Sequence, residues 1–328
     1  MPEISFVIPV FNEQESLEEL HRQIDELARG QDYDIEIVMV DDGSTDQTWE
    51  IMERLAEKDH RIRCYRFRRN FGKAAGLRAG ANRASGKYVV TMDADLQDDP
   101  AEVPRMFEKM GDDFDLVSGW KKKRHDPLGK TLPSKVFNWL VGYLTGVRLH
   151  DHNCGFKLYR REVFDEVKLY GEMHRFVPVL AASRGFRVTE IPVNHRKREH
   201  GISKYGWKRL PKGFLDLLTV SFLTGFSQRP QHVLGTLGLL LFGLGSLGMS
   251  YLAIYWVLRM MVEQFQHWPP LHQRPLVIYS LGSVLLGTQL LCMGFLAELI
   301  VMRNQSQREP YSIRDSINDS PSKKESQG

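Results

Sequence analysis

Short apolar runs alternate with stretches of helical periodicity through the first 120 residues. Strands are predicted at Ile4–Val10, Ile35–Val40, Arg63–Phe67, Lys87–Met92 and Asp115–Ser118. A helix-period segment extends from Ser16 to about Arg29, and Ser44 or Asp46 can cap a helix that begins near Gln47. Strands that alternate with helices predict an α/β fold with a mostly parallel sheet and crossover connections.

Acidic residues stand where these strands end: Glu13, Asp42, Asp93 and Asp95. Open α/β sheets bind ligands at the carboxyl ends of their strands. In extended backbone Asp93 and Asp95 point the same way, and two converging carboxylates repel unless a cation lies between them. Their oxygen atoms suit Mg²⁺ or Mn²⁺, with a substrate phosphate completing the coordination shell. The alternative is an acidic loop that caps the next helix.

Two familiar nucleotide-binding motifs are missing from the sequence. No G-x-G-x-x-G follows the first strand, and no G-x-x-x-x-G-K-[ST] occurs. A bound nucleotide is therefore expected to be held by carboxylates and a metal. Ile4–Val10 has no basic region before it, so we do not expect it to be a signal peptide.

A basic block, GWKKKRHDP, follows the predicted strand Asp115–Ser118. Four consecutive cations can be a solvated loop, a nuclear localisation signal or a nucleic-acid patch. No aromatic residues are interleaved with them for base stacking, which argues against nucleic acid. A clamp for a phosphate group is the remaining alternative.

The composition suits a protein of two parts. A length of 328 residues allows a catalytic domain and an appendage, and the net charge of +3 hides local asymmetry. Cys64, Cys154 and Cys292 are widely scattered, so we expect no disulfide framework and a reducing compartment. The spacing of His150, His152 and Cys154 matches no zinc signature.

Two apolar stretches near the carboxyl terminus, Leu234 to about Leu258 and Leu276 to about Met302, are long enough to cross a hydrocarbon core of about 30 Å. Both contain glycines and small residues that permit close helix packing, and homo-oligomerisation through these helices is expected. A buried helical hairpin of a soluble protein is the alternative.

The distribution of basic residues predicts the orientation. Eight lysines and arginines between Arg196 and Arg229 precede the first stretch, and Arg303, Arg308 and Arg314 follow the second. The positive-inside rule therefore places both termini in the cytoplasm. The segment from Trp207 to Phe226 is basic and then apolar, as in an interfacial helix. The predicted divisions are a catalytic domain (1–206), a juxtamembrane segment (207–230), a transmembrane hairpin (231–303) and a disordered polar tail (304–328).

Four ordered motifs, FVIPVFNE, VDDGSTDQT, RRNFGKAAGLRAG and MDADLQDDP, resemble those of family 2 glycosyltransferases with the GT-A fold. The chain more closely resembles the polyprenyl-phosphate hexosyltransferases, which include dolichyl-phosphate mannose synthase and GtrB-like enzymes. The resemblance covers roughly residues 4–210 by motif. It implies a Rossmann-like GT-A sheet, an interfacial helix, two transmembrane helices, and inverting transfer of a hexose from a nucleotide diphosphosugar to a polyprenyl monophosphate. It places the enzyme at the cytoplasmic face of the inner membrane, and its best match for the donor is UDP-glucose.

The resemblance also implies roles for single residues. The donor nucleotide would contact Pro9, Phe11, Glu13, Val40, Asp42, Asp93 and Ala94, and the metal would contact Asp93, Asp95 and Gln97. Arg198 and Lys204, in the segment REHGISK, would close over the diphosphate. Asn70 and Lys73 would reach the donor, although Lys73 is equally compatible with a solvated helix position, and Asp42 with a helix cap.

The acceptor phosphate would be held by Lys121, Arg124 and Lys135. Asp151 lies in a segment that resembles D-x-x-x-G-F near the sugar, where it either takes part in catalysis or caps the following turn. Asp95, Arg124 and Asp151 are the residues expected to act in catalysis.

Two rival functions remain at this stage. A processive polysaccharide synthase shares the amino-terminal motifs, but it needs a Q-x-x-R-W segment and more membrane spans, whereas this chain has HGISKYGW and two spans. A membrane scaffold that has kept the fold without activity would not need Asp93, Asp95, Gln97, Arg198 and Lys204 together.

Overall fold

A computed structural model describes residues 2–122, 128–167, 173–196, 217, 220, 230–262 and 268–305, without the side chains of residues 128–135, 230, 298 and 300–305. The chain forms two compact units, one within residues 1–224 and the other within residues 225–311.

The first unit is built on one seven-stranded sheet with the order β3-β2-β1-β4-β6-β5-β7. Its strands are β1 Ile4–Val10, β2 Ile35–Asp41, β3 Ile62–Arg66, β4 Tyr88–Thr91, β5 Leu116–Trp120, β6 Lys157–Arg160 and β7 Val188–Pro192. β1 is parallel to β2 and to β4, β2 to β3, and β5 to β7. β6 is antiparallel to both of its neighbours. The mostly parallel α/β sheet predicted from the sequence is confirmed, with β6 as the reversed strand.

Helices cover both faces of this sheet. They are α1 Leu17–Gln31, α2 Thr48–Lys58, α3 Lys73–Ala81, α4 Val103–Met110, α5 Leu128–Thr145, α6 Arg161–Glu166 and α7 Val177–Ser183, with short 3₁₀ turns at Pro100–Glu102 and Met173–Phe176. α1 buries Leu17, Leu20, Ile24 and Ala28, the i, i+3, i+7 stripe expected of a helix with one face on the core.

The core has two layers because the central strands are apolar on both faces. Phe6 and Ile8 of β1 belong to the layer that contains the α1 residues, whereas Val7 belongs to the opposite layer with Leu77 of α3. Continuous burial on both faces is typical of the inner strands of a parallel sheet.

The chain order of the strands reverses at β1, which lies between β2 and β4. Loops that leave β1 and β4 at their carboxyl ends therefore diverge and open a crevice, the position where doubly wound sheets bind ligands. All four acidic residues predicted at strand ends lie in the loops that follow β1, β2 and β4.

The second unit contains two long helices, Pro230–Met261 and Pro275–Gln305. At 1.5 Å per residue each is about 45 Å long, so by length and composition each can cross a bilayer. They pack closely through glycines: a Cβ added at Gly238 would lie 2.9 Å from the carbonyl oxygen of Gly287, and one at Gly245 would lie 2.7 Å from that of Ser280. These two apolar helices indicate membrane association, and their glycines bring the backbones together as predicted.

Candidate active site at the carboxyl ends of β1 and β4

Two residues beside the crevice have left-handed backbone conformations that side-chain-bearing residues rarely adopt. Asn12 follows β1 with φ of 54°, and Leu96 follows β4 with φ of 60°. Such conformations cluster at functional sites, where the surrounding structure over-determines them.

The turn at Leu96 also corrects the prediction made for Asp93 and Asp95. β4 ends at Thr91 and the chain bends after Asp93, so the extended backbone assumed for the two carboxylates is not present.

Hydrogen bonds join the loops after β1 and β2 into one rim. The backbone N–H of Asn12 donates to Ser44 Oγ at 2.9 Å, and that of Thr45 donates to Asn12 Oδ1 at 2.9 Å. The N–H of Glu13 donates to Thr48 Oγ1, also at 2.9 Å. These bonds fix the backbone of Glu13, one of the residues predicted to contact the donor nucleotide.

Asp42 is buried at this rim and holds the segment that leads into α3. Its two carboxylate oxygens accept the backbone N–H groups of Phe71 at 2.6 Å and of Gly72 at 2.9 Å. Burial raises the pKa of Asp42, and these two bonds offset only part of that rise. Asp42 does not cap α2, since the first N–H of that helix donates to Asp46 Oδ1 at 3.1 Å.

The glycines of α3 bring this helix unusually close to the sheet. A Cβ added at Gly76 would lie 3.0 Å from Pro9 Cβ, and one added at Gly80 would lie 2.5 Å from Val7 Cγ1. Val40, buried on β2, lies under the same helix, 3.4 Å from the Cβ position of Gly80. This close approach brings Lys73, the first residue of α3, beside the end of β4.

Lys73 forms an ion pair with Asp93 through Nζ and Oδ1. Burial alone would raise the pKa of Asp93, but the charges of Lys73 and Lys121 lower it to about 2, so the carboxylate is ionised at neutral pH. Lys73 is therefore paired with a carboxylate and is not a solvated helix position; its contact with the donor stays a prediction. Ala94, which follows Asp93, is buried.

Asp95 and Gln97 form a tight turn that docks on the segment before Arg198. The N–H of Gln97 donates to Asp95 Oδ1 at 3.2 Å. The backbone N–H of Arg196 donates to the carbonyl oxygen of Gln97 at 2.9 Å, and Gln97 Nε2 lies 3.4 Å from the carbonyl oxygen of Arg196. An ion pair of 2.7 Å between Arg196 and Asp99 strengthens this docking. Arg198 and Lys204 themselves lie outside the described residues.

Lys121 belongs to the same cluster of charges. Its Nζ lies 3.1 Å from Oδ1 of the buried Asp98. Burial lowers the pKa of a lysine, but the carboxylate of Asp98 more than reverses this and raises the pKa of Lys121. Lys121 was predicted to hold the acceptor phosphate; here its first partner is a carboxylate of the donor-side loop. Arg124 lies outside the described residues, and Lys135 lies in α5 with its side chain outside them.

The loop from Asp151 to Gly155 forms a wall of the crevice. Asp151 is buried, and its Oδ1 accepts the N–H of Asn153 at 3.1 Å, the turn-capping arrangement considered as the alternative to catalysis. A Cβ added at Gly155 would lie 3.0 Å from Asp93 Oδ2 and 2.9 Å from Lys73 Nζ. Only glycine therefore lets this wall approach the ion pair so closely.

Two residues of the site, one buried and one half-buried, were not predicted from the sequence. Lys157 on β6 is only 2% exposed and donates from Nζ to the carbonyl oxygen of Cys154. Burial lowers its pKa, while the carboxylates of Asp151 and Asp93 act in the opposite direction. His174 lies in the 3₁₀ turn after α6, and burial followed by the charge of Lys73 lowers its pKa well below the usual range. The sequence offered one signal for Lys157, a cation between the apolar residues Phe156 and Leu158, and none for His174.

The donor atoms at this site suit a hard cation that a phosphate helps to bind. Within the described part of the chain, no three histidine, cysteine, aspartate or glutamate side chains converge as a preformed metal site. Mg²⁺ and Mn²⁺ need only one or two protein carboxylates when a diphosphate supplies further oxygens. The ionised Asp93, already neutralised by an ammonium group, meets that requirement.

One face of α5 exposes aromatic and aliphatic side chains to solvent. Val136, Trp139 and Tyr143 are 57%, 67% and 75% exposed, and the last two rings stack at 5.7 Å. The opposite face packs through Val141 into a cluster that contains Met173, Phe176, Val179, Leu217 and Val220. Leu217 and Val220 belong to the predicted juxtamembrane segment, so this segment contributes to the same cluster as α5.

Comparison with known proteins identifies relatives along most of the chain. Residues 5–168 match the family "Glycosyl transferase family 2". The chain is 38% identical to dodecaprenyl-phosphate galacturonate synthase from Rhizobium johnstonii, covering 91% of this chain and 87% of that protein. It is 35% identical to undecaprenyl-phosphate 4-deoxy-4-formamido-L-arabinose transferase from Pseudomonas syringae, covering 90% and 85%.

A solved structure supports the fold at lower identity. Glucosyl-3-phosphoglycerate synthase from Mycobacterium tuberculosis, solved with Mn²⁺, uridine diphosphate and phosphoglyceric acid, superposes with a TM-score of 0.51 at 19% identity, covering 68% of this chain and 78% of that one. The family match spans half of the sequence and two relatives exceed one-third identity over nine-tenths of it. The chain therefore belongs to glycosyl transferase family 2, with similarity throughout to the group of polyprenyl-phosphate sugar transferases.

Proposed function

We propose that this protein transfers a sugar from a nucleotide diphosphosugar to a polyprenyl monophosphate at a membrane surface. The observation that carries the proposal is the charge arrangement at the end of β4. The ionised Asp93 lies between Lys73 and the region of Lys121, in the crevice where the order of the strands reverses. Carboxylate and ammonium groups side by side suit a ligand that brings both a divalent cation and phosphates.

We assign Asp93 and Asp95, with Gln97 as a further oxygen donor, to an Mg²⁺ or Mn²⁺ ion on the donor diphosphate. Such an ion, when bound, neutralises the charge that gathers on the departing nucleoside diphosphate. Arg198 and Lys204 lie shortly after the segment that docks on Gln97, and we assign them to the same diphosphate. Pro9, Phe11, Glu13, Val40, Asp42 and Ala94 surround or support the nucleotide position.

The acceptor supplies its own nucleophile. A phosphate monoester has its second ionisation near pH 6, so its oxygen is already charged at neutral pH and needs no dedicated base. Lys121, Arg124 and Lys135 are assigned to position that phosphate, and Asp151 to the sugar side of the crevice. In-line attack by the phosphate oxygen on the anomeric carbon breaks the bond to the diphosphate and inverts the configuration.

The membrane setting follows from two features of the chain. The two long apolar helices are each able to cross a bilayer, and α5 exposes Trp139 and Tyr143, residue types enriched at membrane interfaces. The flanking basic residues favour a cytoplasmic catalytic domain with both termini on that side of the inner membrane. A prenyl acceptor resides in the bilayer, so both features support a lipid-linked substrate.

For the donor we propose UDP-glucose, on the GtrB-like resemblance alone. The two relatives compared above are named for galacturonate and for 4-deoxy-4-formamido-L-arabinose. These two sugars are therefore the competing donors that an assay must include.

The test is a donor panel with the purified full-length protein in lipid nanodiscs. Nucleotide-activated glucose, galacturonic acid and 4-deoxy-4-formamido-L-arabinose are each offered with undecaprenyl or dolichyl phosphate and Mn²⁺. We expect one donor to release nucleoside diphosphate and form one lipid-linked sugar with inverted anomeric configuration. Retention, or release without a lipid product from every donor, contradicts the proposal. A growing polymer would identify a processive synthase, and no turnover with any donor would identify a scaffold.

A further inference from the structure

Asp93, a carboxylate assigned to the metal, already forms an ion pair with Lys73. Lys73 Nζ contacts Asp93 Oδ1, and the two side chains are 27% and 30% exposed. The wall passes close to the pair at Gly155, where an added Cβ would lie 2.9 Å from Lys73 Nζ and 3.0 Å from Asp93 Oδ2. A divalent ion that takes Asp93 Oδ1 as a ligand therefore competes with the ammonium group for the negative charge of Asp93.

Of the three lysines that the described part of the chain places around Asp93, Lys73 is the one placed to move. Lys157 is fully buried and bonded to the carbonyl oxygen of Cys154. Lys121 is 16% exposed and paired at 3.1 Å with Asp98, itself 1% exposed. Lys73 is the most exposed of the three, at 27%, and it is the first residue of α3, so moving its ammonium group towards solvent exposes the least buried charge.

We propose that Lys73 is a displaceable counter-ion: it neutralises Asp93 while the donor is absent and leaves when a divalent cation enters with the donor diphosphate. This inference rests on the proposed function, because it takes Asp93 as a metal ligand. The freed ammonium group is then available to the phosphate charges. Lys73 acts on the metal through Asp93 and is in this respect a positioning residue.

The charges of the site predict the order of binding. A metal ion alone must displace Lys73 from Asp93 and would add positive charge beside Lys73, Lys121 and Lys157. A metal ion that arrives with a diphosphate brings its own negative charge, so the exchange is close to neutral. Metal and nucleotide are therefore expected to bind together, each weakly without the other.

The experiment measures Mn²⁺ affinity, not turnover. Free Mn²⁺ is followed by electron paramagnetic resonance while the full-length protein in nanodiscs is titrated, with and without uridine diphosphate. In Lys73→Met we expect Mn²⁺ alone to bind about three- to tenfold more tightly than in the unaltered protein, since its competitor is gone. The gain in Mn²⁺ affinity that uridine diphosphate produces should shrink by a similar factor. Lys73→Gln should behave likewise. Lys73→Arg keeps the positive charge, so Mn²⁺ alone should bind to it as weakly as to the unaltered protein.

Controls separate this inference from the function on which it rests. Lys109→Met removes an exposed lysine of α4 and should change neither affinity. Asp93→Asn should lose Mn²⁺ binding with and without nucleotide. If Asp93→Asn binds Mn²⁺ normally, the metal site itself is assigned wrongly. If Asp93→Asn loses binding while Lys73→Met and Lys73→Gln bind Mn²⁺ no more tightly than the unaltered protein, the metal site stands and Lys73 is a fixed structural partner.

Discussion

Thr91, the last residue of β4, donates its hydroxyl proton to the carbonyl oxygen of Gly155 at 2.8 Å. This bond ties the wall of the crevice to the strand that leads into Asp93. In the ladder between β4 and β6, Thr91 stands opposite Lys157, whose Nζ holds the preceding carbonyl, that of Cys154. Two successive carbonyl groups of the wall thus accept hydrogen bonds, one from the hydroxyl of Thr91 and one from the ammonium group of Lys157.

Thr91→Val tests whether that tie matters for donor binding. Valine keeps the shape but removes the hydroxyl, so we expect a loss of about 1 kcal/mol in the free energy of unfolding. Relaxation of the wall should raise the donor KM about three- to tenfold and change kcat less. Initial rates at varied donor concentration measure both. Thr189→Val, on β7 of the same sheet, is the matched control, and an unchanged donor KM in Thr91→Val would show that the tie is structural only.

Gly155→Ala tests the close approach of the wall to the ion pair. The added methyl group would lie 3.0 Å from Asp93 Oδ2 and 2.9 Å from Lys73 Nζ, closer than a Cβ normally lies to a neighbouring atom, so the charged ends of these two side chains must shift. We expect donor binding, measured by calorimetry, to weaken at least about tenfold while the circular dichroism spectrum is retained. Gly30→Ala is the control, because nothing lies within 4 Å of a Cβ at that helical position. Equal donor affinity in both variants would place the donor elsewhere.

The sequence predicts those elements of the fold whose signal lies within a short stretch of the chain, and it misses those that depend on distant residues. β1 was predicted with its observed ends, and β2 within one residue, because continuous apolar runs mark inner strands wherever they pair. β6 and β7 were missed, since β6 is a four-residue strand carrying Lys157 and its reversed direction is set by pairing with β4 and β5.

The residues of the candidate site also divide into those that a local sequence pattern predicts and those that only tertiary packing brings together. The acidic motifs placed Asp42, Asp93 and Asp95 at one edge of the sheet, since strand ends fix that edge. The ion pair between Lys73 and Asp93 joins residues twenty positions apart and depends on how deeply α3 sinks onto Pro9 through Gly76, which no local pattern encodes. His174 reaches the site from a turn that carries no motif at all.

Asp95→Ala tests the metal ligand. We expect transfer to fall by at least about a hundredfold, because the charge on the leaving diphosphate would lose its stabilisation. Mn²⁺ affinity in the presence of uridine diphosphate should fall in parallel. Asp113→Asn, at a side chain that is 89% exposed, should leave both unchanged. Full activity of Asp95→Ala in excess EDTA would rule out metal-dependent transfer through this residue.

His152 makes the stability of the catalytic domain depend on pH. Burial, and then the charge of Lys157, lower its pKa to about 4, whereas the unfolded chain takes up that proton near pH 6.5. The stability that the neutral imidazole contributes is fully present above about pH 6.5 and is lost as the pH falls to about 4, up to about 3 kcal/mol. His174 shifts in the same direction.

The measurement is the melting temperature of the first unit, followed by fluorescence, between pH 7.5 and pH 4.5. Between pH 7.5 and pH 4.5, the melting temperature of His152→Gln should fall less than that of the unaltered protein, whatever the stability of the variant at pH 7.5. His60→Gln, at an exposed position, should leave the slope as it is. A decline of equal slope in His152→Gln would mean that this imidazole does not titrate with unfolding.

The exposed face of α5 predicts a difference between lipid-borne and soluble acceptors. Trp139 and Tyr143 stack on each other with 67% and 75% of their surfaces exposed, and burying such rings in the headgroup region is favourable. The double variant Trp139→Ser, Tyr143→Ser should raise the KM for undecaprenyl phosphate in nanodiscs about three- to tenfold, because the crevice is held less closely to the bilayer. The KM for a short, water-soluble prenyl phosphate should stay the same, since this acceptor reaches the site from solution.

Fluorescence quenching tests the contact with lipid directly. Brominated lipids should quench more of the tryptophan fluorescence in the unaltered protein than in Trp139→Phe, because Trp139 itself is then in contact with the lipid. If both acceptors lose efficiency equally, the face supports the fold of the site rather than its contact with lipid.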